Sequence, residues 1–144
     1  MKKRQTRLLL VLLLSMIIAP ACNTFKHGAE HATVFQSYPN SQADIRLDLK
    51  ENLRFNYDMT IYPELGDTTQ TDAEAFQFKG RWQTDNENYI LRFRRRNHPD
   101  LYALFSQGTH LEVNVKVLSE RRVSFPLDVE EIIVWGIRCY REEK

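Results

Sequence analysis

Three groups of side chains in this sequence have the types and spacing that chemistry asks for. His27-Gly28-Ala29-Glu30-His31 sets two imidazoles at i and i+4 with a carboxylate between them, a spacing that on a helix aims both rings to one side and can hold a metal. Gly28 weakens such a helix, no third ligand is near, and an open bidentate pair holds metal weakly. The pair therefore reads as solvated histidines in a spacer, and no metal site is assigned. His98 with Asp100, and His110 farther on, have the types of a general base and its partner, but they fall in apparent loops, where such residues serve as turn polars. Gly-x-Ser-x-Gly, a Gly-rich phosphate loop and His-Glu-x-x-His are all missing. No catalytic residue and no cofactor are expected, and the chain does not read as an enzyme. The third group is Arg92, Arg94, Arg95 and Arg96, joined farther along by Arg121 and Arg122. Guanidinium forks take carboxylate and phosphate in a bidentate way, which suits an anionic partner such as lipopolysaccharide, peptidoglycan or an acidic protein face. The same arginines also fit a solvated outer strand face that discourages edge aggregation.

The N-terminus supplies an address. Lys2, Lys3, Arg4 and Arg7 form a basic flank, and Leu8 to Ala19 is an apolar run broken only by Ser15. A bilayer-spanning helix takes about 20 apolar residues, so this shorter run reads as the core of a secretory signal over residues 1–21. Ala19-Pro20-Ala21-Cys22 resembles the lipobox of bacterial lipoproteins, with Ala19 standing where a branched residue is usual. The resemblance implies a diacylglyceryl group on the Cys22 thiol and cleavage on its N-terminal side. The same residues satisfy the small-x-small rule of ordinary signal peptidase, which gives the same mature start. If Cys22 is lipidated, Cys139 is a lone thiol in an oxidising compartment and is safe only when buried. If it is not, a Cys22–Cys139 disulfide could join the two ends. Lipidation is preferred, because a Cys directly after a signal core is seldom accidental. Asn23, where Asp would favour the inner membrane, points to the periplasmic face of the outer membrane in a Gram-negative host.

Charge follows from that cleavage. The whole chain carries 20 basic and 19 acidic residues, but removal of residues 1–21 leaves 16 against 19, a net charge of −3. A weakly acidic mature chain argues against general nucleic-acid binding, and 42% apolar content excludes an acidic disordered tail.

The elements that must position these residues are strands. Residues 22–43 lack a sustained apolar period and read as a lipid-anchored tether. From Asp44 the period is two. Ile45, Leu47 and Leu49 alternate with polar residues, then Leu53, Phe55, Tyr57, Met59 and Ile61 do the same across the tight Lys50-Glu51-Asn52 connection. A polar loop over 62–74 leads to Phe76, Phe78, Gly80 and Trp82, and Asp85-Asn86-Glu87-Asn88 turns the chain into Tyr89, Leu91 and Phe93. Leu101–Phe105, Leu111–Val117, Val123–Phe125 and Ile132–Cys139 complete about eight short strands with no convincing helix. The expected fold is an all-β antiparallel meander over 44–144, closed or partly closed into a small barrel, since closure removes exposed edges.

The stretch from Ile45 to Leu91 resembles the N-terminal barrel of NlpE-type envelope-stress lipoproteins and, more loosely, lipocalin-like domains of secreted bacterial lipoproteins. The carriers are Leu47-Asp48-Leu49-Lys50-Glu51-Asn52-Leu53-Arg54-Phe55-Asn56-Tyr57, a polar loop, and Phe78-Lys79-Gly80-Arg81-Trp82 before a turn. The resemblance implies a membrane-anchored module that senses or meets another envelope protein. NlpE-type barrels carry a Pro-Cys-x-x-Cys candidate copper pair before the first hairpin. Here Asn40 and Ala43 stand at those cysteine positions, and without thiolates no soft ligand pair is left.

Two readings of function result. In one, a tethered barrel acts as an interaction or sensing module. In the other, it is a carrier enclosing a small apolar ligand. The inward faces hold Phe55, Tyr57, Phe76, Phe78, Trp82 and Phe93, enough rings to fill a small barrel, which favours the interaction module.

Overall fold

The computed structural model describes residues 30–64, 72–105 and 115–142. Within them the chain is all-β, as the period-two patterns require: nine antiparallel strands form one sheet curled into a half-barrel. The strands are β1 (Thr33–Ser37), β2 (Ala43–Leu49), β3 (Arg54–Ile61), β4 (Glu74–Asp85) and β5 (Asn88–Phe93), then β6 (Lys116–Ser119), β7 (Arg122–Pro126), β8 (Glu131–Val134) and β9 (Ile137–Arg141). Their order across the sheet is β6-β7-β5-β4-β3-β2-β1-β9-β8. The first five form a meander. The order then departs from one: the β6–β7 hairpin adds to one side through β7, and the β8–β9 hairpin adds to the other through β9.

Three expectations about the elements are corrected. The stretch read as tether contains β1, which pairs Phe35 with Leu47 on one side and with Arg141 on the other. Its inward residues Thr33, Phe35 and Ser37 are buried, and Ser37 Oγ accepts the Ile45 amide at 2.9 Å. Leu101–Phe105, expected as a strand, is a short helix, α1. Asp100 starts it by accepting the Tyr102 and Ala103 amides at 3.0 and 3.2 Å on Oδ1, the usual work of an N-cap carboxylate. Ile132–Cys139, expected as one strand, is the β8–β9 hairpin, reversed at Trp135 and Gly136, both in left-handed backbone (φ 51° and 74°). The expected strand residues 111–114 lie outside the described residues.

One core fills the concave side. Phe35, Phe55, Tyr57, Trp82, Tyr89, Phe93 and Phe125 are all buried and make two sets of ring contacts between 4.9 and 6.4 Å, Phe35–Phe125–Tyr89–Trp82 and Phe55–Phe93–Tyr57, in the edge-to-face and tilted arrangements aromatic quadrupoles favour. Two rings expected inside sit at the margin: Phe76 is 38% exposed and Phe78 partly buried. The cause is register. β5 ends at the Gly80–Phe93 pair, so the first half of β4 runs beyond it and loses a covering neighbour. Helix α1 touches the two outermost strands, β6 and β8, and its Leu104 carbonyl accepts the Trp135 amide at 2.6 Å.

Candidate functional site: an arginine groove on the outer sheet face

Pairing in the middle of the sheet aligns like charges. Arg54 on β3 is opposite Arg81 on β4, Arg81 is opposite Arg92 on β5, and Arg92 is opposite Arg122 on β7. Because side chains alternate across a strand, all four leave the face opposite the ring core, and all are exposed or half-exposed. Adjacent strands lie about 4.8 Å apart, so the row crosses roughly 14 Å of surface.

Local hydrogen bonds hold each end of the row. At the β2–β3 turn Leu53 takes left-handed backbone (φ 60°), its amide donates to the Lys50 carbonyl at 3.0 Å, and its carbonyl accepts the Trp82 amide at 2.9 Å. The Trp82 indole N–H also donates to the Lys50 carbonyl at 3.0 Å. A core residue of β4 thus fastens the turn that delivers Arg54 beside Arg81. At the other end the Phe93 amide donates to the Arg121 carbonyl at 2.9 Å, drawing the β6–β7 turn against the end of β5. The Arg94 amide donates to the Lys79 carbonyl at 3.1 Å, and an Arg94–Asn97 bridge folds the next turn back. The result is a concavity of about 400 Å³ lined by Arg54, Gly80, Arg81, Arg92, Phe93, Arg94, Arg95 and Arg121.

Among the described residues the groove arginines have no ion-pair partner. The ion pairs among those residues are Arg46–Glu142 at 2.9 Å and Arg138–Glu131 at 3.4 Å, and neither involves a groove arginine. Two acids of the outer face are engaged elsewhere, Asp58 accepting from Gln77 at 2.7 Å and Asp85 from Asn88 at 3.2 Å. Like charges directly opposite on a sheet are destabilising, and clustering them in a concavity over a low-dielectric core concentrates the field. Such a surface attracts anions.

Of the arginines singled out in the sequence, Arg92, Arg94 and Arg95 come together in the groove, whereas Arg96 is exposed and not among its lining residues. Arg121 joins them and Arg122 extends the row. Arg54 and Arg81 were not legible as members, because only the strand register brings residues so far apart in sequence to one place. Cys22, His27 and His110 lie outside the described residues. His31 is fixed by its backbone, its carbonyl accepting the Tyr89 hydroxyl at 2.8 Å. His98 Nδ1 lies 3.1 Å from the Pro99 carbonyl, and Asp100 is occupied as the cap of α1. Cys139 is a free, buried thiol whose pKa burial pushes up to about 12.

Comparison with known proteins finds no family model, no curated protein and no solved structure that matches this chain.

Proposed function

We propose that this chain is a lipid-anchored protein of the bacterial envelope, held on the periplasmic face of the outer membrane through Cys22. Its half-barrel acts as an interaction or sensing module, meeting an anionic partner, an envelope protein or an anionic glycan, on its outer arginine face. The observation that carries the reading is the in-register row Arg54–Arg81–Arg92–Arg122 with no acid paired to it among the described residues. A protein gains nothing in stability from such a row, so its use lies in what it attracts. The interior argues in the same direction, since the seven buried rings occupy the concave side where an enclosed ligand would have to sit.

Retention of the purified protein on a dextran sulfate matrix tests this. Binding should fall as salt rises through physiological strength, where exposed charges are screened over about 8 Å, and Arg81→Gln with Arg92→Gln should abolish it. Retention equal in wild type and the double variant would refute the reading.

A further inference from the structure

We infer that the groove is a site for a compact ligand bearing at least two phosphate groups. This rests on the anionic-partner reading and narrows it. Size is the first reason. The concavity measures about 400 Å³, within the roughly 300–1,000 Å³ of small-ligand sites. It is flanked by the Arg94–Asn97 turn and the β6–β7 turn, a shape that admits a small molecule or a headgroup more readily than the broad face of a protein.

Charge is the second reason. Six guanidinium groups line one concavity, on three adjacent strands and two turns, and no described carboxylate is paired with any of them. One carboxylate offers a single planar pair of oxygens and saturates one guanidinium fork. A phosphate offers up to three terminal oxygens and up to two charges, so different oxygens of the same group can take hydrogen bonds from Arg81 and from Arg92 across the interstrand gap of about 4.8 Å. Satisfying the row and the turns together takes at least two such groups.

Titration calorimetry on the full chain in neutral detergent, at low salt, tests the assignment with pyrophosphate against citrate, two ions of similar charge. Pyrophosphate should bind at least tenfold more tightly than citrate, and Arg81→Gln should weaken it at least tenfold without lowering the thermal midpoint. Two further arms locate the source of the phosphates. Neutral vesicles doped with cardiolipin, whose headgroup carries two phosphates, should capture the protein better than vesicles matched in charge with phosphatidylglycerol if the natural ligand is a lipid headgroup. Binding of pyrophosphate with no preference between the vesicles assigns a soluble phosphate ester, and either result supports the site. Citrate or polyglutamate binding as tightly as pyrophosphate overturns the inference and leaves the anionic-partner reading standing. Binding of none of the three overturns both.

Discussion

Gly80 and Phe55 face each other across the β3–β4 pair with no room between them: a Cβ built on Gly80 would lie 2.5 Å from Phe55 Cε1 and overlap the Arg92 carbonyl oxygen. The bare backbone there lets β4 approach the Phe55 ring, and the next residue is Arg81 of the row. Gly80→Ala should therefore destabilise by about 1–3 kcal/mol, as overpacked sites do, and also weaken anion capture by shifting the row. Urea unfolding together with dextran sulfate retention measures both effects. An unchanged midpoint would show that the approach is looser than described.

Arg81 stands between Arg54 and Arg92. Each like-charged opposition relieved is worth about 0.2–1 kcal/mol, so Arg81→Gln should raise the thermal midpoint while it weakens anion capture. Opposite signs for stability and binding are the mark of a surface kept for function at the expense of stability. A variant that lost both would point to a structural role for Arg81.

One position along the same strand the sign reverses. Trp82 is 2% exposed, packs on Tyr89 at 5.8 Å and donates to the Lys50 carbonyl. Trp82→Ala should cost about 3–5 kcal/mol, a large part of the roughly 5–15 kcal/mol that holds a domain folded. Urea midpoints that moved equally for Trp82→Ala and Arg81→Gln would contradict the register.

Cys139 gives a pH dependence with a defined direction. Burial raises its pKa from 9.0 to about 12, so the folded state keeps a proton that the unfolded chain gives up. The stability tied to that proton is complete below about pH 9 and is lost as pH rises from 9 towards 12. Tyr57, also raised by burial and by the nearby Cys139 thiol, adds a loss of the same sign that begins higher, above the ordinary tyrosine value of 10.0. The wild-type urea midpoint should start to fall just above pH 9, and in Cys139→Ala only above about pH 10. A common onset would clear the thiol of responsibility.

Lipidation is tested at Cys22. In a Gram-negative host, Cys22→Ala should move the protein from the outer-membrane fraction to the soluble periplasm and lower its mass by far more than the side-chain difference. Wild-type protein without acyl chains, with Cys22 bonded to Cys139, would refute the anchor.

Most of the sheet was legible because two hairpins obey a strict period of two. The β2–β3 turn at Lys50-Glu51-Asn52 and the β4–β5 turn at Asp85–Asn88 place Phe55, Tyr57, Trp82 and Phe93 inside and Arg54 and Arg81 outside, as the alternation requires. β1 was missed because its inward positions are Thr33, Phe35 and Ser37, one large apolar residue among polar neighbours. Its partners on both sides supply the pattern it lacks. Leu101–Phe105 is an unbroken apolar run that period alone does not assign, and the decisive signal was the capping Asp100 before it. The candidate site was half legible. Arg92, Arg94 and Arg95 are close in sequence and Arg121 was singled out with them, whereas Arg54 and Arg81 join them only through strand pairing.

The placement of β1 between β2 and β9 also sets a leash. With the chain held from His31, whose carbonyl accepts the Tyr89 hydroxyl, and Ala32 in the core, only the eight residues 23–30 would separate the domain from the proposed anchor at Cys22. At the full extension of about 3.3–3.6 Å per residue such a span could reach at most about 30–32 Å, roughly two fifths of what a free spacer through residue 43 would allow. If Cys22 carries the proposed lipid, a domain on so short a line would patrol a thin layer next to the bilayer. Its arginine groove would then sample phosphates at the membrane surface far more often than those in the depth of the periplasm.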